Sequence, residues 1–161
     1  LEETRPYQVG GGMVKSVEKE SFRYEDPPKR FEAGTPNIAG AVGLKAAIEY
    51  LEYIGLEEIH SHDLEISKMI REGLEEIDSI EVLSPEGSIL VSFYSEKVHS
   101  HDLAEVLNQN NVAVRAGNHC AQPQHQELDL AGTVRASPYL YNTEEDVEKL
   151  LEAVREAQSI F

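Results

Sequence analysis

The chain holds a single cysteine, Cys120, and the residues around it suggest thiol chemistry. Gly117, Asn118 and His119 precede it, Pro123 follows, and the loop continues through Gln122, Gln124 and His125. Two short apolar runs, 112–114 and 133–134, flank this polar loop, and each is followed at once by an arginine, Arg115 and Arg135. The thiolate is the nucleophilic form of cysteine, and a nearby His or Arg favours it. An arginine at a strand end can hold a carboxylate through two parallel hydrogen bonds. Each residue also has a plainer reading: free cysteines are often small buried hydrophobes, and arginines often serve structural ion pairs. The hydrophilic, Gly- and Pro-punctuated loop favours a reachable thiol. For Arg135, residue type leaves both readings open.

A second feature is the step Gly34-Thr35, two residues before a helical pattern. Backbone N–H groups and a hydroxyl at a helix entrance suit an anion, and they equally suit plain N-capping. The tetrapeptide His-Ser-His-Asp occurs at 60–63 and again at 99–102. Residues two apart on a helix point to different sides, so these histidines are read as polar surface residues and no metal site is expected.

Composition bounds the function. The length of 161 residues suffices for one core without staples, and one cysteine excludes an internal disulfide. A formal charge of -16 argues against nucleic acid as a partner. No apolar run is long enough to span a membrane and no signal-peptide pattern opens the chain, so a reducing, cytoplasmic setting is expected. The chain begins Leu1-Glu2 without an initiator Met, and the expectation is a piece of something longer.

The elements that must position Cys120 follow from periodicity. Residues 14–17 and 21–24 read as an extended pair around a polar turn, and Pro27-Pro28 forbids regular structure. From Ile38 the apolar spacing is helical, with Ile38, Val42, Leu44, Ala47, Ile48, Leu51 and Ile54 on one face, and Gly55 ends the helix. A second amphipathic helix places Leu56, Ile59, Ile66, Ile70, Leu74 and Ile77 inward. Strands are expected at 81–83, 89–94, 112–114 and around Val134. Ser100 is read as the N-cap of a helix carrying Leu103, Val106 and Leu107. Thr143 and Asp146 read as a capping box for a last helix burying Val147, Leu150, Leu151, Val154 and Ala157. Helices and strands mix without βαβ alternation, so the fold class is α+β with a small, mostly antiparallel sheet.

The ordered motifs R-A-G-N-H-C-A-Q-P and R-A-S-P-Y-L-Y-N-T, with G-G-G-M-V and R-F-E-A-G-T-P-N upstream, resemble the cysteine desulfurases of the class V aminotransferase family. The resemblance is to the SufS-like group, shared with selenocysteine lyases, and runs from about Pro6 to the end. It implies the C-terminal part of a fold type I enzyme that uses pyridoxal 5'-phosphate. Residues 1–50 would be a remnant of the large domain: a loop, a covering hairpin at 14–29 and a connecting helix. Residues 51–161 would be the small domain carrying the cysteine loop.

By this resemblance Cys120 matches the nucleophile that takes the substrate's sulfur as a persulfide. Arg135 matches the arginine that binds the substrate carboxylate, and Arg115 and His119 face the same site. Gly34 and Thr35 match the segment that reaches the cofactor phosphate of the other subunit in a homodimer. The implied reaction converts L-cysteine to L-alanine, with sulfur passed to an acceptor protein for iron-sulfur cluster or other sulfur supply. Asn118 and Ala116 depart from the family's usual H-H-C and R-T-G. The Schiff-base lysine matches none of Lys15, Lys19, Lys29, Lys45, Lys68, Lys97 or Lys149, so the chain alone is expected to be inactive. A selenocysteine lyase, or a non-enzymatic half-protein or sulfur-relay module pairing with a separate cofactor-bearing half, stays open beside the desulfurase.

Overall fold

Aromatic and β-branched runs near the N-terminus pair as expected. In the computed structural model, which describes residues 1–161, β1 (Val14–Val17) and β2 (Phe22–Tyr24) form an antiparallel ribbon with a register shift between Val14 and Ser16. Met13, just before β1, is fully buried and accepts a hydrogen bond at sulfur from the Gly10 N–H. Helix α1 (Ile38–Ile54) follows, and Asn37 caps it by accepting from the Gly40 N–H at 2.9 Å. The helix boundaries match the sequence reading, but its packing does not: no residue of α1 is buried. Ile38, Val42, Leu44 and Ile48 are exposed, and Leu51 and Ile54 are half-buried.

The chain divides into two compact units, Leu1–Tyr53 and Ile54–Phe161. The second contains α2 (Leu56–Glu75), β3 (Ile80–Val82), β4 (Val91–Ser95), α3 (Ser100–Gln109), β5 (Arg115–Gly117), α4 (Gln122–Glu127), β6 (Thr133–Ala136) and α5 (Glu144–Ile160). Its sheet runs β3-β4-β6-β5 with every neighbour antiparallel, which confirms the α+β class. Alternation gives this sheet two different faces. Val91 and Phe93 of β4 and Val134 and Ala136 of β6 enter the core with Ile66, Ile70, Leu74, Leu103, Leu107, Leu150 and Val154. Phe93 is fully enclosed, so its truncation to Ala would cost about 3–5 kcal/mol. Helix α2 meets α5 at Gly73, where an added Cβ would lie 2.3 Å from a Leu151 methyl. The opposite sheet face carries Ser92, Thr133, Arg135 and Arg115.

Several expectations need correction. The strand expected at 112–114 lies three residues later, at Arg115–Gly117, because its pairing partner is the segment Thr133 to Arg135. Val112 and Val114 instead pack beside the core as the approach to the strand. The N-cap of α3 is His99, whose Nδ1 accepts from the His101 N–H at 3.3 Å, and Ser100 is the buried first helical residue. Leu56 is exposed, and α2 ends at Glu75, before the buried Ile77. The capping interaction at α5 is present: Asp146 accepts from the Thr143 N–H at 3.0 Å.

Candidate active site

Cys120 is exposed. Its loop leaves β5 at Gly117, passes through Asn118, and turns through two consecutive left-handed residues, His119 (φ 50°) and Cys120 (φ 64°). Side-chain-bearing residues reach this region at a cost of roughly 1–2 kcal/mol each. Two in succession at the lone thiol require a surrounding structure that enforces them. The Ala121 N–H closes the turn onto the Asn118 carbonyl at 2.7 Å.

The rest of the loop is a short helix where the sequence reading placed none. Pro123 stands in the first turn of α4, where a missing N–H costs nothing, so this proline starts structure and does not break it. That position was the available signal. His125, read from sequence as one of several polar loop residues, is 8% exposed and uses both ring nitrogens. Nδ1 lies 3.1 Å from the Ala121 carbonyl, and Nε2 lies 3.2 Å from the Thr133 hydroxyl. A carbonyl can only accept, so Nδ1 carries a proton, and Nε2 shares a hydrogen bond with the Thr133 hydroxyl. Sequence reasoning singled out neither residue.

The flanking arginines are brought together. Arg115 and Arg135 are register partners on β5 and β6, and directly opposed residues of an antiparallel pair project from the same face. Arg135 donates from Nε to Ser137 Oγ at 3.2 Å, which leaves its terminal nitrogens free for a ligand. Neither arginine takes part in any of the chain's ion pairs.

His119 lies within the field of both. Burial, then the Arg135 charge, hold its pKa below the ordinary histidine value of 6.5, with Arg115 and His125 adding to the effect. The Thr133 carbonyl acts in the opposite sense, but neither ring nitrogen makes a hydrogen bond of acceptable geometry, so burial and the guanidinium charges set the sign. His119 is therefore a neutral imidazole near pH 7.

The loop is pinched at its foot. A Cβ on Gly132 would lie 2.8 Å from Ser100 Oγ and 3.3 Å from the Gly117 Cα, so only glycine lets the start of β6 approach α3 and the end of β5. His101 also faces Gly117, which sits at φ +107°. A cavity of about 320 Å³ lined by Ile66, Val112, Ser137, Tyr141 and Lys149 lies beyond the end of β6, and no residue of the loop from Gly117 to His125 lines it. The thiol is thus presented on an open surface.

Gly34 and Thr35 belong to the first unit. Gly34 is left-handed (φ +89°) with open space at its Cβ position, and its N–H is engaged by the Gly11 carbonyl at 2.8 Å. Thr35 is exposed, and its hydroxyl is not used to cap α1, since Asn37 does that. Of the histidine repeats, His60, His99 and His101 are exposed as read, whereas His62 is half-buried and bonds the Asn142 carbonyl at 3.0 Å, beside the buried Asp63. The side chains of His99 and His101 stack at 5.4 Å.

Known proteins are similar to this chain over nearly all of its length. A cysteine desulfurase of Haloferax volcanii is 45% identical over the whole chain, which covers 38% of that protein. Among solved structures, the S-sulfonic acid form of a cysteine desulfurase from Escherichia coli matches all of this chain and 40% of its own, at a TM-score of 0.89 and 35% identity. The apo cysteine desulfurase from Thermococcus onnurineus NA1 matches 97% of this chain and 40% of its own, at a TM-score of 0.86 and 39% identity. The chain thus spans about two fifths of the length of these relatives. The Aminotransferase class-V family model matches residues 1–150, nearly the full length over which the loop, its arginines and their supporting elements are built. The chain belongs to the class-V aminotransferase family.

Proposed function

We propose that these residues form the sulfur-accepting part of a cysteine desulfurase that converts L-cysteine to L-alanine and holds the released sulfur as a persulfide on Cys120. The observation that carries this reading is an exposed thiol on an enforced turn, in the connection between two strands whose opposed arginines pair with no acid. Arg135 is the clamp for the substrate carboxylate, with Arg115 beside it, and neutral His119 completes the wall without adding a third positive charge. The step balances without an external oxidant. The Cys120 sulfur forms a bond to the substrate sulfur as the substrate's Cβ–S bond breaks, and the thiol hydrogen given up by Cys120 is matched by the one gained on the methyl carbon of alanine. The persulfide then passes to a thiol of an acceptor protein, for iron-sulfur cluster assembly or other sulfur supply in a reducing cytoplasm.

Pyridoxal phosphate, when bound, supplies the electron sink that weakens the bonds around the substrate's α-carbon. The residues of this chain that fit part of that cofactor are Gly34 and Thr35. The Gly34 N–H is spent on Gly11, so the exposed Thr35 hydroxyl, not used for capping, is the group of this step that suits a phosphate. In a SufS-like homodimer these would serve the partner's site. By the family resemblance no lysine of this chain matches the one that holds the cofactor, so we read the first unit as the remnant of a larger cofactor domain and the second as the small domain.

The test is to incubate the complete, cofactor-loaded protein with L-cysteine and measure alanine together with the mass of the Cys120 peptide. Alanine release with one added sulfur atom on that peptide is expected, and Cys120→Ser should abolish both. Alanine formation at an unchanged rate by Cys120→Ser would refute the assignment.

A further inference from the structure

The geometry points to His125 as a positioning residue: through Thr133 it latches the Cys120 loop onto strand β6, and so sets the thiol relative to Arg135. This inference rests on the desulfurase reading for its catalytic meaning, and on the hydrogen-bond geometry alone for the latch.

His125 lies in α4, the helix that begins just after Cys120, and Thr133 begins β6. Both are buried, His125 to 8% and Thr133 to 2% exposure. The ring joins the two segments through opposite edges. Nδ1–H reaches back to the Ala121 carbonyl, the residue after the thiol, and Nε2 shares a hydrogen bond with the Thr133 hydroxyl. The backbone fixes His125 within α4, since its N–H also donates to the Ala121 carbonyl at 3.2 Å and its carbonyl accepts from the Leu130 N–H at 2.9 Å, so the ring alone reaches β6. Thr133 and Arg135 are two apart on one strand and therefore share a face, the face opposite the core residues Val134 and Ala136. One imidazole thus connects the nucleophile's loop to the strand that carries the carboxylate clamp. A loop that holds His119 and Cys120 left-handed needs such an attachment, because relaxation of either residue would swing the thiol away.

The test uses the complete, cofactor-loaded protein with Thr133→Val, which keeps the shape and deletes the hydroxyl, and Thr133→Ser, which restores the hydroxyl. Amide hydrogen exchange over 118–130 reads the latch independently of any reaction. Thr133→Val should accelerate it about tenfold, the size of one ordinary hydrogen bond, with β3 and β4 unchanged and Thr133→Ser close to the parent. Alanine formation reads the positioning. Thr133→Val should lower kcat about tenfold at a nearly constant KM, and Thr133→Ser should recover it. His125→Leu and His125→Gln repeat the comparison from the other side of the bond, with Gln retaining a donor and an acceptor. The double variant Thr133→Val with His125→Leu should be no worse than the more impaired single variant. Unchanged exchange in Thr133→Val and His125→Leu, or no recovery in the Ser and Gln variants, would overturn the latch. Faster exchange with unchanged kcat would overturn the positioning role. A parent protein that makes no alanine, yet shows the exchange pattern, would sink the desulfurase reading and still support the latch.

Discussion

Arg115 and Arg135 stand opposite one another across the β5–β6 ladder, and neither joins an ion pair. Like charges in directly opposed positions destabilise a sheet, and this chain has 30 acidic residues against 14 basic ones with which to relieve them. The pair is therefore costly to the folded chain until an anion arrives, and a substrate carboxylate is the anion the reading supplies.

Arg135→Ala should raise KM for L-cysteine on the order of 10- to 100-fold in the complete enzyme, the loss of charge-assisted hydrogen bonds worth about 1.5–3 kcal/mol. Arg135→Lys should recover little of this, because an ammonium is a point charge and not a planar fork. Titration with L-cysteine checks both variants. A KM unchanged by either substitution would remove the carboxylate from Arg135.

The neutral state of His119 has a consequence for pH. Its folded-state pKa lies below the ordinary value of 6.5, so the unfolded chain takes up a proton first as pH falls. The stability tied to this residue is complete above pH 6.5 and declines as pH falls from there through the lower folded value. His119→Gln has no such slope. The difference in denaturation midpoint between parent and variant should therefore shift in favour of the variant on going from neutral to mildly acidic buffer. A constant difference would mean that His119 is not held neutral by its surroundings.

Much of the frame was legible because burial leaves a period. The helical spacing of Ile59, Ile66, Ile70 and Leu74 and of Val147, Leu150 and Val154 survives intact as the core faces of α2 and α5. The pair Arg115 and Arg135 was visible as arginines following apolar runs, although the runs themselves misplaced β5. A strand's position depends on its partner, and Thr133 to Arg135 lie too far along the chain for local pattern to reveal the pairing. His125 was hidden for a different reason. A buried histidine with both nitrogens satisfied has the same letter as a solvated one, and only the distances to Ala121 and Thr133 separate them. Gly132 likewise gave no local sign of the close approach it permits.

That approach predicts a compensating pair. Gly132→Ala would force its methyl against Ser100 Oγ and the Gly117 backbone, at a cost of roughly 1–3 kcal/mol. Ser100 Oγ is itself buried without a hydrogen-bond partner, so Ser100→Ala removes both the obstacle and an unsatisfied group. The double variant should be more stable than Gly132→Ala alone, by thermal denaturation. If it is equally or less stable, the Gly117 backbone, and not the serine, is the limiting contact.

Helix α1 leads to the last prediction. Ile38, Val42 and Leu44 are 65%, 64% and 62% exposed, and no residue of this helix is buried. Contiguous apolar surface of this kind associates in water. The 161 residues expressed alone should therefore self-associate, as read by sedimentation velocity, and Val42→Glu with Ile48→Glu should reduce the association. The same preparation with L-cysteine and added pyridoxal phosphate should release no alanine, because by the family resemblance none of Lys15, Lys19, Lys29, Lys45, Lys68, Lys97 or Lys149 matches the lysine that holds the cofactor. A monomeric chain at micromolar concentration would show that α1 tolerates water on its own, and alanine release would show that the cysteine loop carries more of the chemistry than its residues account for.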